Sequence, residues 1–315
     1  MKYKHLFGPV ISRRLGISLG VDLVPYKYCP LSCVYCEVQD TTNLSVQREE
    51  FFPLEEILAE LDEFLATKPK LDYITFSGAG EPTLYSKLGE VVKHIKAKHG
   101  EYQLALLTNG VLLGNPEVRR EVSACDVVLP SLDAATAQVF CAINRPHSSL
   151  EIAQIIRGLV EFRKGFTGKI WLELFLVPGI NDTEEELIAL KDAIRQIKPD
   201  LVQLNSLDRP GTEKWVKPLS LAALKHAKKL LSDKMDIPVE IIAKVKYDAQ
   251  GTHLDEDVSS MIKATLQRRP CTAEEISAML DIHINEIAKV LRQLHLDGKV
   301  QVKRENRGIF YTWKE

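Results

Sequence analysis

Cys29-Pro-Leu-Ser-Cys33-Val-Tyr-Cys36 places three thiols within eight residues, directly after a strand-like run that ends at Pro25. A loop with this spacing can wrap its sulfurs around an iron-sulfur cube, whose irons are normally held by cysteine thiolates. Three thiolates leave one iron without a protein ligand, and that iron becomes a reaction site. A structural zinc site would need a fourth Cys or His nearby, whereas Cys125, Cys141 and Cys271 are distant and unpatterned. A disulfide would leave one of the three thiols over, and the Met1 end lacks the charged stretch and apolar run of an export signal. The open-site cluster is the leading reading, and zinc is the alternative.

Outward from this loop, strand and helix alternate. Ile17 to Pro25 reads as a first strand, followed by Asp72 to Ser77, Gln103 to Thr108, Asp126 to Ser131, Lys169 to Val177 and Leu201 to Asn205. Between the first two, Leu54, Ile57, Leu58, Leu61 and Leu65 recur at helical spacing. Six such units imply an α/β fold with a parallel sheet covered by helices, and right-handed crossovers curl it into a full or partial barrel. An open doubly wound sheet has the same periodicity.

From about Asp255 the character changes. A helix-like run stops before Pro270, Thr272-Ala-Glu-Glu275 has the pattern of a capping box, and Ile284, Ile287, Val290, Leu291 and Leu294 mark a further helix. Gly298 then introduces Lys299 to Lys303 and Gly308 to Trp313 as a hairpin. The order resembles a small C-terminal winged helix-turn-helix domain at residues 255–315, behind a larger domain at 1–250.

At 315 residues with 45% hydrophobic content the chain has room for these two domains. A net charge of -2 argues against a generally basic nucleic-acid binder. Residues 255–315 hold ten Lys or Arg and ten Asp or Glu, yet Lys289, Arg292, Lys299, Lys303, Arg304 and Arg307 fall on the recognition helix and wing, where a local phosphate-facing strip would form. No apolar run approaches the roughly 20 residues of a membrane span. A cytoplasmic setting, where thiols stay reduced, is expected.

The cysteine spacing, with Tyr35 before the last thiol, resembles the radical S-adenosylmethionine (SAM) superfamily. Phe7-Gly-Pro-Val-Ile-Ser-Arg-Arg-Leu-Gly16, Gly20-Val-Asp22 and Asn144-Arg-Pro-His147 are similar to the branch of wyosine-base (4-demethylwyosine) synthases and uncharacterised bacterial relatives, over about Phe7 to Pro210. The resemblance implies a partial (β/α)6 TIM-like barrel, a 4Fe-4S cluster on Cys29, Cys33 and Cys36, and SAM on the open iron. It further implies reductive cleavage to a 5′-deoxyadenosyl radical, with electrons from a donor such as flavodoxin or ferredoxin. No cysteine precedes Cys29, so a second upstream cluster, as in some wyosine enzymes, has no ligands here.

Candidate site residues lie at the strands' C-terminal ends, the active rim of parallel barrels. In Ser77-Gly-Ala-Gly-Glu-Pro82 two glycines let the backbone come close to a ligand, and the family uses such a segment to hold the amino group of SAM. Gly78, Gly80, Glu81, Thr108, Asn109, Ser131 and Asp133, with Tyr35, are the expected cofactor contacts; Asn109 and Asp133 serve equally well as helix caps. Alternation turns Glu173 and Asn205 into the lumen, and these two with Arg145 are the expected catalytic residues. Arg13, Arg14, His147 and Arg209 are further substrate candidates at the same rim, suited to carboxylate or phosphate groups. The fifth-strand turn Val177-Pro-Gly-Ile-Asn-Asp182 also resembles the family's. His94, His99 and His226 read as structural or exposed.

The expected partner is a macromolecular substrate, RNA or protein. Two other readings stay open: a peptide-modifying or glycyl-radical-activating enzyme, and a non-enzymatic iron-sulfur redox sensor with a DNA-binding domain.

Overall fold

Period-two alternation builds the sheet, because aliphatic side chains on one face meet helices while the other face changes character along the strands. Leu19, Val21, Ile74, Phe76, Leu104, Leu106, Val128, Leu172, Leu174, Val202 and Leu204 fill the helix-facing side and are fully buried. The computed structural model of the chain describes residues 3–12, 14–242, 258–280, 282, 284–305 and 307–314, without the side chains of 258–261, 285, 286 and 289.

The chain opens with β1 (Leu6–Ser12) and β2 (Gly16–Val21), then the short pair β3 (Tyr28–Cys29) and β4 (Asn43–Leu44). Alternation follows: α1 (Leu54–Leu65), β5 (Tyr73–Phe76), α2 (Leu88–Lys98), β6 (Gln103–Thr108), α3 (Pro116–Glu121), β7 (Val127–Pro130), α4 (Ala137–Asn144), α5 (Ile152–Gly165), β8 (Lys169–Phe175), α6 (Glu184–Ile197), β9 (Leu201–Asn205), α7 (Leu221–Ser232) and β10 (Val239–Ile241). The sheet order is β1-β2-β5-β6-β7-β8-β9-β10, parallel throughout except for β1. The order never reverses, as it would in a doubly wound sheet.

Six strands were expected for this sheet, and among the described residues it has eight. β1 escapes a periodicity reading because Gly8 and Pro9 interrupt its alternation, and its register with β2 shifts between Phe7 and Val10. β10 is only three residues long, too short to carry a period. β2 also stops at Val21 instead of Pro25; just beyond it Asp22 donates its N–H to the His5 carbonyl and its carboxylate accepts from the Ala79 N–H.

The sheet is curled. Leu15, at the tip of the β1–β2 hairpin, packs with Ala105, Val127 and Leu129, and Arg14 beside it ion-pairs with Glu173 of β8. Four strand spacings separate β2 from β8 in a flat sheet, about 19 Å, beyond the reach of an arginine. The lumen thus has a largely apolar floor, with Thr75 level with Ala105, while Glu173 and Gln203 form its polar part above.

The C-terminal segment contains α8 (Val258–Arg268), β11 (Cys271–Thr272), α9 (Ala273–Leu280), α10 (Ile284–Leu296), β12 (Val300–Glu305) and β13 (Gly308–Trp313). Its three strands form a separate sheet, β11-β13-β12, over its own core of Ile262, Leu266, Ile276, Ile287, Leu291, Leu294 and Val300. The capping box is formed: Thr272 N–H donates to Glu275 Oε2 at 3.0 Å and Glu275 N–H to Thr272 Oγ1 at 3.2 Å. The expected boundary near 250–255 lies outside the described residues.

This unit is fastened to the β1 edge of the curled sheet and to the loop after β9. Arg268 lies over the Phe7 ring of β1 at 4.7 Å and reaches the Asp22 carboxylate at 3.5 Å. Beyond β9, Arg209 pairs with Glu37 and Glu275, and Arg307 with Asp208 and Glu275. Between the two bodies is a cavity of about 320 Å³ whose walls include Asp22, Glu37, Gln39, Ala79, Arg268 and Trp313.

Burial raises the Asp22 carboxyl to about 6, against the pull of Arg268 and the Ala79 amide. A folded-state value above the unfolded one means stability that is complete below about pH 4 and is lost as pH rises through about 6. Urea denaturation of the apoprotein and its Asp22→Asn variant should show the wild type losing roughly 3 kcal/mol relative to the variant across that window, from about two pH units at 1.36 kcal/mol each. Parallel pH profiles would remove Asp22 as the source.

Candidate active site

Pairing of β3 with β4 fixes the start of the cysteine loop, and the end of α4 fixes its middle. Ser32 N–H donates to the Asn144 carbonyl and Val34 N–H to that of Ile143, both at 2.9 Å. Cys29, Cys33 and Cys36 are all free thiols. Each sulfur has a nitrogen donor: Asn109 Nδ2 to Cys29 at 3.5 Å, Asn144 Nδ2 to Cys33 at 3.3 Å and Lys27 Nζ to Cys36 at 2.9 Å.

Burial pushes Cys29 up to about 12 and Cys33 higher still, so these two sulfurs keep their protons when free. Coordination to a metal would remove those protons. Burial alone would lower Lys27, but thiolate charge at Cys36 and Cys29 raises it, so the ammonium stays charged beside deprotonated sulfurs. A buried cation and two amides directed at sulfur suit thiolate ligands carrying negative charge. Among the described residues only Asp62, His94 and His99 bring three ligand atoms within 4.8 Å of one another. The three sulfurs are spread wider, which fits a cube with one thiolate per iron better than a single zinc ion. The residues therefore fit the iron-sulfur group.

Glu81 ties this loop to the strand ends. Its N–H donates to the Tyr28 carbonyl at 2.9 Å, and its buried carboxylate accepts from Thr83 N–H and Oγ1, Thr108 Oγ1 and Asn109 N–H. The glycines beside it make room for the chain itself: a Cβ on Gly78 would lie 2.2 Å from Asp22 Oδ1, and one on Gly80 2.2 Å from the Tyr28 carbonyl oxygen. The close approach is thus to Asp22 and the cysteine loop.

Asp133 gathers the opposite wall. Tyr35 Oη and Asn144 Nδ2 donate to Oδ2, and Phe175 N–H donates to Oδ1. The Tyr35 ring stacks on Phe175 at 3.7 Å. Burial lifts the Asp133 carboxyl to about 6 against these three donors. Asn181, from the turn after β8, donates to the carbonyls of Asp133 and Phe175 and accepts from Val177 N–H. A small cavity of about 40 Å³ is lined by Cys33, Tyr35, Asn109, Ser131, Asp133 and Asn144.

Deeper in the lumen, Glu173 accepts from Arg14 and from Asn205 Nδ2 at 2.8 Å. Arg145, in a left-handed conformation at the end of α4, pairs with Glu213 at 2.6 Å and stays half-exposed. His147 turns Nδ1 to Ser149. Arg209 is buried at the junction with the C-terminal unit, and Arg13 lies outside the described residues. Lys27 and the sulfur-facing role of Asn144 had no signal in spacing or periodicity.

The pattern of the Radical SAM superfamily is matched over residues 23–190. The UPF0026 protein MJ1312 of Methanocaldococcus jannaschii is 31% identical over 93% of this chain and 94% of its own length. A Brachyspira hyodysenteriae protein named GTPase Obg is 34% identical over 99% of this chain, which spans only 45% of that protein. Among solved structures, a radical SAM methyltransferase from Sphaerobacter thermophilus shares the fold with a TM-score of 0.55 and 17% identity, over 71% of this chain and 65% of that one.

Anaerobic reconstitution should load about four irons and four sulfides per chain. Cys29→Ala, Cys33→Ala and Cys36→Ala should each lose the electron-resonance signal of the reduced cluster. Cys125→Ala, Cys141→Ala and Cys271→Ala should keep it; its loss in any of these three would overturn the ligand assignment.

Proposed function

Since the chain belongs to the radical SAM superfamily, an enzyme family that works with SAM and a 4Fe-4S cluster, we propose that it uses SAM cleavage to modify a macromolecular substrate, with RNA as the leading class. When bound, the cluster supplies the electron that splits SAM into methionine and a 5′-deoxyadenosyl radical. The protein's own part is to hold three sulfurs among Lys27, Asn109 and Asn144, and to keep water and stray hydrogen donors away from the lumen.

In this reading Gly78, Gly80 and Glu81 shape the wall beside the methionine end of SAM, with Thr108 acting through Glu81. Asn109, Ser131, Asp133 and Tyr35 border the remainder of the cofactor. Glu173 and Asn205, joined by a hydrogen bond in the lumen, orient the substrate, and Arg145 meets its charged portion from the rim. The curled sheet is read as a partial barrel over residues 1–250, and residues 255–315 as a winged helix-turn-helix domain. A cytosolic reductant such as flavodoxin or ferredoxin completes the cycle.

The observation that carries the macromolecular reading is a recognition-sized unit fastened beside the β1 edge by Arg268 and to the loop after β9 through Arg209 and Arg307. Arg307 is therefore engaged at the junction, while Arg292 on α10, Lys299 just before β12, and Lys303 and Arg304 on β12 remain exposed. The side chain of Lys289 lies outside the described residues.

Dithionite-reduced holoenzyme given SAM should form 5′-deoxyadenosine and methionine, detected by chromatography. An intact reduced cluster that leaves SAM unchanged would transfer the lead to the redox-sensor reading. Arg292→Ala, Lys299→Ala and Arg304→Ala together should weaken RNA binding and reduce the salt slope by about 0.7 for each single-strand phosphate that is no longer neutralised. Binding of a protein substrate with no response to salt would replace RNA with a protein partner.

A further inference from the structure

Asp62 near the end of α1, His94 in α2 and His99 just beyond it converge away from the cysteine loop. Both imidazoles direct Nε2 at one oxygen, Asp62 Oδ1, each at 2.8 Å, and all three ligand atoms lie within 4.8 Å of one another. Lys98 Nζ takes the other oxygen, Oδ2, at 2.9 Å. The histidine side chains are 16% and 14% exposed and Asp62 35%, so the group is sheltered yet reachable from solvent. α1 ends and α2 ends shortly before the starts of β5 and β6, which puts the group at the sheet's N-terminal end, opposite the cysteines.

Hydrogen bonding alone accounts for each of these contacts, but it asks two rings to spend their Nε2 protons on the same oxygen. One cation among the three atoms uses both ring lone pairs and the carboxylate charge at once. Two imidazoles and a carboxylate, without sulfur, form a donor set for zinc, cobalt, nickel or copper rather than for an iron-sulfur cluster. Three protein ligands leave the fourth tetrahedral position to water.

We propose that Asp62, His94 and His99 bind a divalent transition-metal ion of the zinc class. The ion clips α1 to α2, the helices before and after β5, whose far end carries Gly78 to Glu81. Nothing in this site depends on the SAM chemistry.

The test uses cluster-loaded holoenzyme, so that Cys29, Cys33 and Cys36 are already occupied. After passage over a chelating resin, it is dialysed against chelator-buffered Zn2+, and zinc and iron per chain are counted by mass spectrometry. Wild type should take up about one zinc per chain. His94→Ala and His99→Ala should bind it at least roughly 100-fold more weakly, beyond the range that loss of outer support alone causes. Cys141→Ser, which removes an exposed thiol, should bind as wild type does. Lys98→Ala keeps every ligand and removes the cation competing for Asp62, so it should bind zinc more tightly. Wild type that takes up no more zinc than the His94→Ala, His99→Ala double variant, or Lys98→Ala that binds no more tightly than wild type, would overturn the site.

Discussion

A carboxylate taken out of water must be met by donors, and Glu81 meets this demand from two directions: Thr83 just beyond it, and Thr108 with Asn109 at the end of β6. Separately, its backbone N–H donates to the Tyr28 carbonyl of the cysteine loop. Asn109, positioned this way, then turns its side chain toward the Cys29 sulfur. The geometry of the first thiol is thus set by an acid that touches no thiol.

Asp133 repeats the device across the site, joining Tyr35, Asn144 and Phe175, while Asn144 passes the alignment on to Cys33. Glu186, in the first turn of α6, accepts from Ala135 and Thr136 and anchors the start of α4, the helix whose last turn grips the loop. Loss of any of these donors would leave a buried charge partly unmatched, which typically costs more than the hydrogen bond itself contributes. Rigidity at the sulfurs therefore comes from carboxylates placed one layer behind them.

Local features of this architecture could be read from the sequence. The spacing of Cys29, Cys33 and Cys36, the alternation of β8 and β9, the helical repeat of α1 and the Thr272–Glu275 cap all act within a few residues, and each has its counterpart in the structure. β1 and β10 were missed because a Gly-Pro break and a three-residue length erase periodicity. The donors to sulfur were missed for another reason: Asn144 meets Cys33 across 111 residues, and no local pattern encodes such a meeting. Arg209 and Arg307 look like free surface cations in one dimension, but folding brings Glu37, Asp208 and Glu275 to them. The glycines of the Ser77–Pro82 segment were recognisable as a place of close approach, but not the backbone and carboxylate that approach them.

Attachment of the C-terminal unit to the β1 edge and to the loop after β9 also sets an order of events. A chain made from its N-terminus has the sheet and the cysteine loop before it has Arg268, Arg307 or Trp313, and domains generally fold as they emerge. The flank of the loop at Glu37 and Gln39 shares its cavity with Arg268 and Trp313, so it gains that cover only after those residues have been made. The loop is therefore formed earlier than the wall that faces it, and a cofactor could reach it before that wall is in place.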